Sequence, residues 1–220
     1  EFLAMSAYSI FLFIIFGGLL EVTGGTKFFI QIGRILGNRI TGGQAITSVV
    51  TSGLTGMVSG SVAANVITTG SFTIPSMKKA GYSGYQAGAI EATASTGGAF
   101  MPPIMGSAAF LMAATLGVPY AEIAFAATIP AVLYYLSAGF YAYLQGKRLK
   151  AVGKLNTLEK EPIDIRELMI TAPIFLIPLI VIIIGLAIGF SPSLVIFWAI
   201  ILLVVLGLLR KETRYTWEEL

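Results

Sequence analysis

Cysteine and histidine are absent from this chain, and Asp164 is its single aspartate. Without cysteine there is no disulfide framework and no thiolate metal site. Without histidine there is no Ser-His-Asp triad and no HExxH zinc site, and one aspartate cannot build the paired-Asp centre of an intramembrane protease. Charge is scarce too. Only 11% of the 220 residues are charged, against about 25% in soluble domains, which is too few to clothe a water-facing surface. Apolar residues fill the chain instead, at 56% with a mean hydropathy of +0.86. The net charge of +3 reflects loop bias rather than affinity for nucleic acid. These features predict an all-α, multi-pass membrane protein. The chain opens without Met inside an apolar run and reads as a fragment of something longer.

A helix needs about 20 apolar residues to cross the hydrocarbon core. Four runs qualify: Phe2–Leu20, Tyr120–Leu144, Ile170–Phe190 and Leu194–Leu209, the last opened by the turn Ser191-Pro192-Ser193. Lys147, Arg148, Lys150, Lys154, Lys160 and Arg166 precede the last two spans, and Arg210, Lys211 and Arg214 follow them. The positive-inside rule puts both clusters in the cytoplasm. Working backward, Tyr120 lies outside and Tyr85 inside, with Lys78 and Lys79. Lys27, Arg34 and Arg39 join them if the stretch 43–75 enters the membrane and returns to the same side. Two full crossings need about 40 residues, so a re-entrant hairpin fits this stretch better. Residues 26–40 alternate Lys27, Gln31, Arg34 and Asn38 with Phe28, Phe29, Ile32, Ile35 and Leu36, the pattern of an amphipathic helix in the interface plane, with a short tilted span as the alternative. Tyr215 and Trp217 beside the last basic cluster suit an interface anchor.

Two segments fail to make clean spans. Non-helical backbone at membrane depth is tolerated only when buried in protein or lining a wet cavity. The first break, 56–65, offers glycines for a sharp turn and neutral oxygens from Ser59, Ser61 and Asn65. Neutral oxygens and unwound carbonyls suit a hard monovalent cation, and the helix that resumes after the tip offers N–H groups to an anion. Gly56-xxx-Gly60 also reads as ordinary helix packing. The second break, 94–103, joins Ser95-Thr96-Gly97-Gly98 to Pro102-Pro103. The prolines leave upstream carbonyls without helical donors. A cation is one candidate partner, and a simple proline kink is the alternative. Glu91 is an intramembrane acid two turns into the same helix, and such acids are functional candidates by default. It could help bind a cation or face a vestibule. It could equally reach interfacial water or pair with Lys78 or Lys79. Glu122 reads as solvated near the outer surface.

At these segments the chain resembles a known family. The strings SGSVAANVITTGSFTIPSMKKAGY (59–82), EATASTGGAFMPPIMGSAAFLMA (91–113) and IPAVLYYLS (129–137) are similar to the large membrane (DctM-like) subunit of tripartite ATP-independent periplasmic (TRAP) transporters. Within that group they most resemble the fused permeases that work with TAXI-type binding proteins. The resemblance covers residues 10–145 well and the final two spans only in hydropathy. It implies a bacterial or archaeal inner-membrane permease, Na⁺-coupled uptake of small organic anions such as carboxylates or amino acids, an extracytoplasmic binding protein, and small-subunit-like scaffold helices, fused or separate. It also implies an elevator-type motion of a transport domain.

Carried over by position, the hairpin tip maps to Ser59, Gly60, Ser61 and Asn65. Its partner, an unwound helix, maps to Ser95, Thr96, Gly97 and Gly98, closed by Pro102 and Pro103. The implied Na⁺ ligands are Ser59, Gly60, Ser61, Asn65, Ser95 and Gly98. The implied substrate contacts are Ser61, Asn65, Thr96, Gly97 and Pro102. No second hairpin or second broken helix occurs in the chain, which on this reading is one half of an inverted-repeat fold. The expected organisation is a scaffold span with an interfacial helix over 1–42, a transport-domain half over 43–118 (hairpin 43–75, broken helix 85–117), a span over 119–145, a cytoplasmic linker over 146–169, and two scaffold spans with a cytoplasmic end over 170–220. A pore with a re-entrant filter loop is the alternative class. Catalysis is not expected, since every Lys that could pair with Ser61 lies in a loop or at a membrane surface.

Overall fold

The computed structural model describes residues 2–156 and 163–208, with side chains from Tyr8 onward. Lys160, Arg210, Lys211, Arg214, Tyr215 and Trp217 lie outside the described residues. Nine helices are described: α1 Phe2–Val22, α2 Gly25–Gly37, α3 Gly43–Ser59, α4 Val62–Lys79, α5 Gly84–Gly98, α6 Ser107–Leu116, α7 Tyr120–Ala151, α8 Ile165–Ile188 and α9 Pro192–Leu208. Helices α7 and α8 are long and apolar enough to cross a membrane. Of the other two expected spans, the part of α1 from Tyr8 to Val22 passes together with α2, across a bend of 70°, and α9 is shorter at 17 residues. Side chains left exposed along α7, among them Phe125, Ile129, Leu133, Leu136 and Phe140, suit a lipid or protein surround rather than water.

The bend between α1 and α2 falls at Gly24, whose φ of 94° few side chains tolerate. Helix α2 then buries Phe28 and Phe29 and leaves Lys27 exposed, the two-faced character expected of 26–40. Phe28 packs on Phe175 of α8, with ring centroids 5.1 Å apart. One apolar cluster joins Phe13, Phe16, Phe29, Phe175, Ile182 and Ile196, drawing together α1, α2, α8 and α9. A second joins Ala45, Val49, Met77, Ala87, Ile90 and Ala142, drawing together α3, α4, α5 and α7.

Helices α3 and α4 form a hairpin whose turn is Gly60-Ser61. The arm α4 runs to Lys79, beyond the expected end at 75, and Pro75 sits inside its last turns. Each arm has 17 or 18 residues, or about 25–27 Å at 1.5 Å per residue. The open end of the hairpin meets the basic end of α7. Gly42 and Gly146 touch so closely that a Cβ on Gly146 would lie 2.6 Å from the Gly42 Cα. The Tyr82 hydroxyl donates to the Gly42 carbonyl (3.2 Å), and Asn156 Nδ2 donates to the Lys79 carbonyl (2.9 Å). Arg39, Lys78, Lys79, Lys147 and Arg148 therefore share one end of the bundle. Helix α7 itself continues to Ala151, seven residues past the expected Leu144.

The second break lies later than the sequence suggested. Helix α5 is continuous through Ser95, Thr96, Gly97 and Gly98, and the non-helical segment is 99–106. The carbonyls that Pro102 and Pro103 cannot bond are those of Gly98 and Ala99. They accept from the Met101 N–H (3.4 Å) and the Gly106 N–H (2.7 Å). The Tyr120 hydroxyl reaches the Pro103 carbonyl (3.0 Å) and the Ile104 carbonyl. The carbonyls of Gly98 and Ala99 thus find donors within the protein.

Candidate functional site at the hairpin tip

The tip of the hairpin is built on Gly60, which has a φ of 61° and presses on the Met105-Gly106 segment. A Cβ there would come within 2.1 Å of the Met105 carbonyl oxygen. Below the tip, α3 and α5 approach backbone to backbone. A Cβ on Gly98 would sit 2.5 Å from the Gly56 Cα, and one on Gly56 would meet the Asn65 side chain at 2.7 Å. The structure therefore brings Gly56, Gly98 and Asn65 together.

Asn65 is 1% exposed. Its amide nitrogen donates to the Ser52 carbonyl (2.8 Å), whereas its Oδ1 is buried without a partner. The Ser59 and Thr55 hydroxyl oxygens are also buried and unpartnered. Three oxygens within two turns of one tip thus lack donors, and each buried unsatisfied polar group costs about 1–3 kcal/mol. Such clusters call for an explanation in the form of a ligand, an ion or water. The other expected residues divide. Ser61 is exposed and caps α4, accepting from the Ala64 N–H (3.4 Å). Thr96 is exposed and bonds its own helix at Ala92 (2.8 Å). Gly97 lies under the rings of Tyr134 and Tyr135. Pro102 belongs to the loop beyond α5, joined to Pro103 by a cis peptide bond.

Ser95 points elsewhere, into a polar cage around Glu91. The Glu91 carboxyl group is fully buried. Oε1 is bonded by the hydroxyls of Ser52 (2.7 Å), Ser95 (3.1 Å) and Thr69, and Oε2 by those of Ser48 (2.6 Å) and Thr73 (2.6 Å). This removes two of the sequence alternatives, since Glu91 neither reaches interfacial water nor pairs with Lys78 or Lys79. The cage also reaches the tip. Ser52 offers its hydroxyl to Glu91 and its carbonyl to Asn65, and the Thr69 hydroxyl lies 2.7 Å from the Asn65 carbonyl. Glu91 thereby ties α5 to both arms of the hairpin and positions Asn65. In the sequence these side chains show a shared polar face but not the carboxyl group they meet. Ser48, Ser52, Thr55 and Ser59 recur at helical spacing on α3, as do Asn65, Thr69 and Thr73 on α4.

The family model for the tripartite ATP-independent periplasmic transporter, DctM component, matches residues 4–220. The chain belongs to the DctM family. It is therefore a membrane-embedded transport component and not an enzyme. No curated protein matches it. The hairpin tip lodges against the break between α5 and α6, and discontinuous helices mark substrate and ion sites in secondary transporters generally.

Proposed function

We propose that this DctM permease takes up small organic anions, carboxylates or amino acids among them, in symport with Na⁺, and that an extracytoplasmic binding protein of the TAXI type delivers them. The hairpin α3–α4 is read as re-entrant, entering from the cytoplasmic face and carrying its tip to membrane depth. Small-subunit-like helices complete the scaffold against which the transport unit moves.

One observation carries the reading: the buried, unpartnered oxygens of Asn65, Ser59 and Thr55 at the tip. All three are neutral, and none is a carboxylate. A neutral donor set suits a singly charged hard cation, whereas a divalent ion draws carboxylates. Asn65, Ser59 and Thr55 are the residues that would hold Na⁺, whose gradient would supply the driving force. The helix α4 begins at the same tip. Its first N–H groups lack intrahelical acceptors, and its positive dipole end favours an anionic substrate. Ser61 satisfies one of these donors, the Ala64 N–H. The Glu91 cage bears no ion on this reading and holds Asn65 in place.

The test is uptake into proteoliposomes containing the full-length permease and its binding protein. An inward Na⁺ gradient should drive accumulation of a labelled organic anion, and omission of the binding protein should abolish it. Saturation-free, gradient-independent conductance in planar bilayers would overturn the proposal in favour of a pore.

A further inference from the structure

A cavity of about 370 Å³ opens at the basic end of the bundle, between α2 and the open end of the hairpin. Its lining includes Arg34 of α2 and Asn38 just after it, Gln44 and Thr47 of α3, and Ser76 and Lys79 of α4. Among the described residues, the lining holds two cationic side chains and no acidic one. Thr47 Oγ1 donates to the Gly33 carbonyl (3.2 Å), and the end of α2 meets the start of α3 so tightly that a Cβ on Gly43 would lie 1.9 Å from the Gly37 carbonyl oxygen. The wall is therefore rigid where α2 and α3 join. The first turn of α3 borders the cavity, with Gly42 offering no side-chain cap.

The rim is different in character. Phe72 and Pro75 line one side and are exposed. A polar, cationic pocket bordered by exposed apolar side chains fits a ligand with an oxyanion head. Basic pockets between membrane helices on the cytoplasmic side bind anionic headgroups by the same physics, and Arg presents a fork matched to phosphate and carboxylate oxygens.

We propose that this cavity is an anion site, separate from the hairpin tip, that takes a phosphate-type oxyanion at the membrane surface. The head would lie between Arg34 and Lys79, against Asn38, Gln44 and Ser76. Occupancy would bridge α2, which packs with α8 and the scaffold cluster, to the hairpin of the other cluster. The site does not depend on which ion couples transport, so its failure leaves the sodium reading untouched.

Native mass spectrometry of the full-length permease, released from nanodiscs of phosphatidylglycerol or of phosphatidylcholine, tests it. Phosphatidylglycerol should be retained on the order of tenfold more than phosphatidylcholine, given the attraction of each basic side chain for an anionic headgroup. Arg34→Gln/Lys79→Gln should lose that retention, and Lys27→Gln/Lys78→Gln, of equal charge change, should keep it. Lys79→Gln alone, a change at an exposed side chain, should lose part of it and guards against misfolding of the double variant. A rise in unfolding temperature with inorganic phosphate in phosphatidylcholine nanodiscs, lost in Arg34→Gln/Lys79→Gln, would support the site with a soluble anion as its source. No selective retention and no phosphate effect would overturn the proposal. So would equal loss in the Lys27→Gln/Lys78→Gln control.

Discussion

Two glycines of α5 provide a matched pair of substitutions. Gly88 has open space around it, with nothing within 4 Å of an added Cβ. Gly98 has none, since an added Cβ would lie 2.5 Å from the Gly56 Cα and 2.8 Å from its carbonyl carbon. Carbon atoms pack best at about 3.5–4.0 Å, so α3 and α5 would have to part by about 1 Å. Both obstructing atoms are backbone, and no rotamer change can relieve the overlap. Gly→Ala in a helix gains at most about 1 kcal/mol of intrinsic propensity, and overpacking costs about 1–3 kcal/mol or more. Gly98→Ala should therefore be less stable than Gly88→Ala by about 1–3 kcal/mol or more, with Gly88→Ala at or above the parent. Thermal unfolding in nanodiscs measures the difference. The same change should weaken Na⁺ dependence of uptake, because Asn65 shares the contact with Gly56. Equal stability and equal Na⁺ response in the two variants would refute the close approach of α3 and α5.

The Glu91 cage supports a second expectation. Glu91→Leu deprives Ser48 and Ser95 of their acceptor, and two buried unsatisfied groups at about 1–3 kcal/mol each predict a loss of about 2–6 kcal/mol. Glu91→Gln keeps an acceptor and should cost less, which thermal unfolding of the two variants will check. Gly60→Ala places a side chain at positive φ, at about 1–2 kcal/mol, and drives it into the Met105 carbonyl. Uptake should fall sharply while the protein still inserts in the membrane, as judged by its elution and yield. These 220 residues contain no cysteine, so single cysteines introduced among them report topology. Lys78→Cys and Lys147→Cys should react with an impermeant maleimide only from the cytoplasmic face and Glu122→Cys only from the opposite one. Labelling of the Lys78 and Lys147 positions from opposite faces would contradict the shared basic end.

Much of the fold was legible in the sequence because membrane helices advertise themselves by length and apolarity, and α7 and α8 did so. The hairpin was legible because Gly60 and Ser61 interrupt two runs too short for a pair of crossings. The position of the second break was not. Gly97 and Gly98 look like places to unwind, yet they remain helical because their missing side chains let Tyr134, Tyr135 and Gly56 close in. The flexible-looking glycines serve contact, and the true break begins at Ala99, where the prolines remove donors. Of the site, Asn65 and Ser59 were legible as polar groups in an apolar setting. Thr55 and the five hydroxyls around Glu91 were not, because serine and threonine in membrane helices usually bond their own backbone and give no sign of a distant partner. Only the packing of α3, α4 and α5 reveals that Ser48, Ser52, Thr69, Thr73 and Ser95 converge on one carboxyl group. The resemblance implied Ser95 as an ion ligand on the broken helix, and in the structure its hydroxyl bonds Glu91, one turn away on the same helix.

The most direct test of the tip as the seat of ion coupling is a Na⁺ titration of uptake in proteoliposomes, with the parent permease compared with Asn65→Ala and Ser59→Ala. Loss of a ligand oxygen should raise the half-saturating Na⁺ concentration on the order of tenfold, the equivalent of about 1.4 kcal/mol, while the affinity of the binding protein for its substrate stays unchanged. Uptake that follows a proton gradient and is indifferent to Na⁺, or an unchanged Na⁺ requirement in both variants, would contradict it.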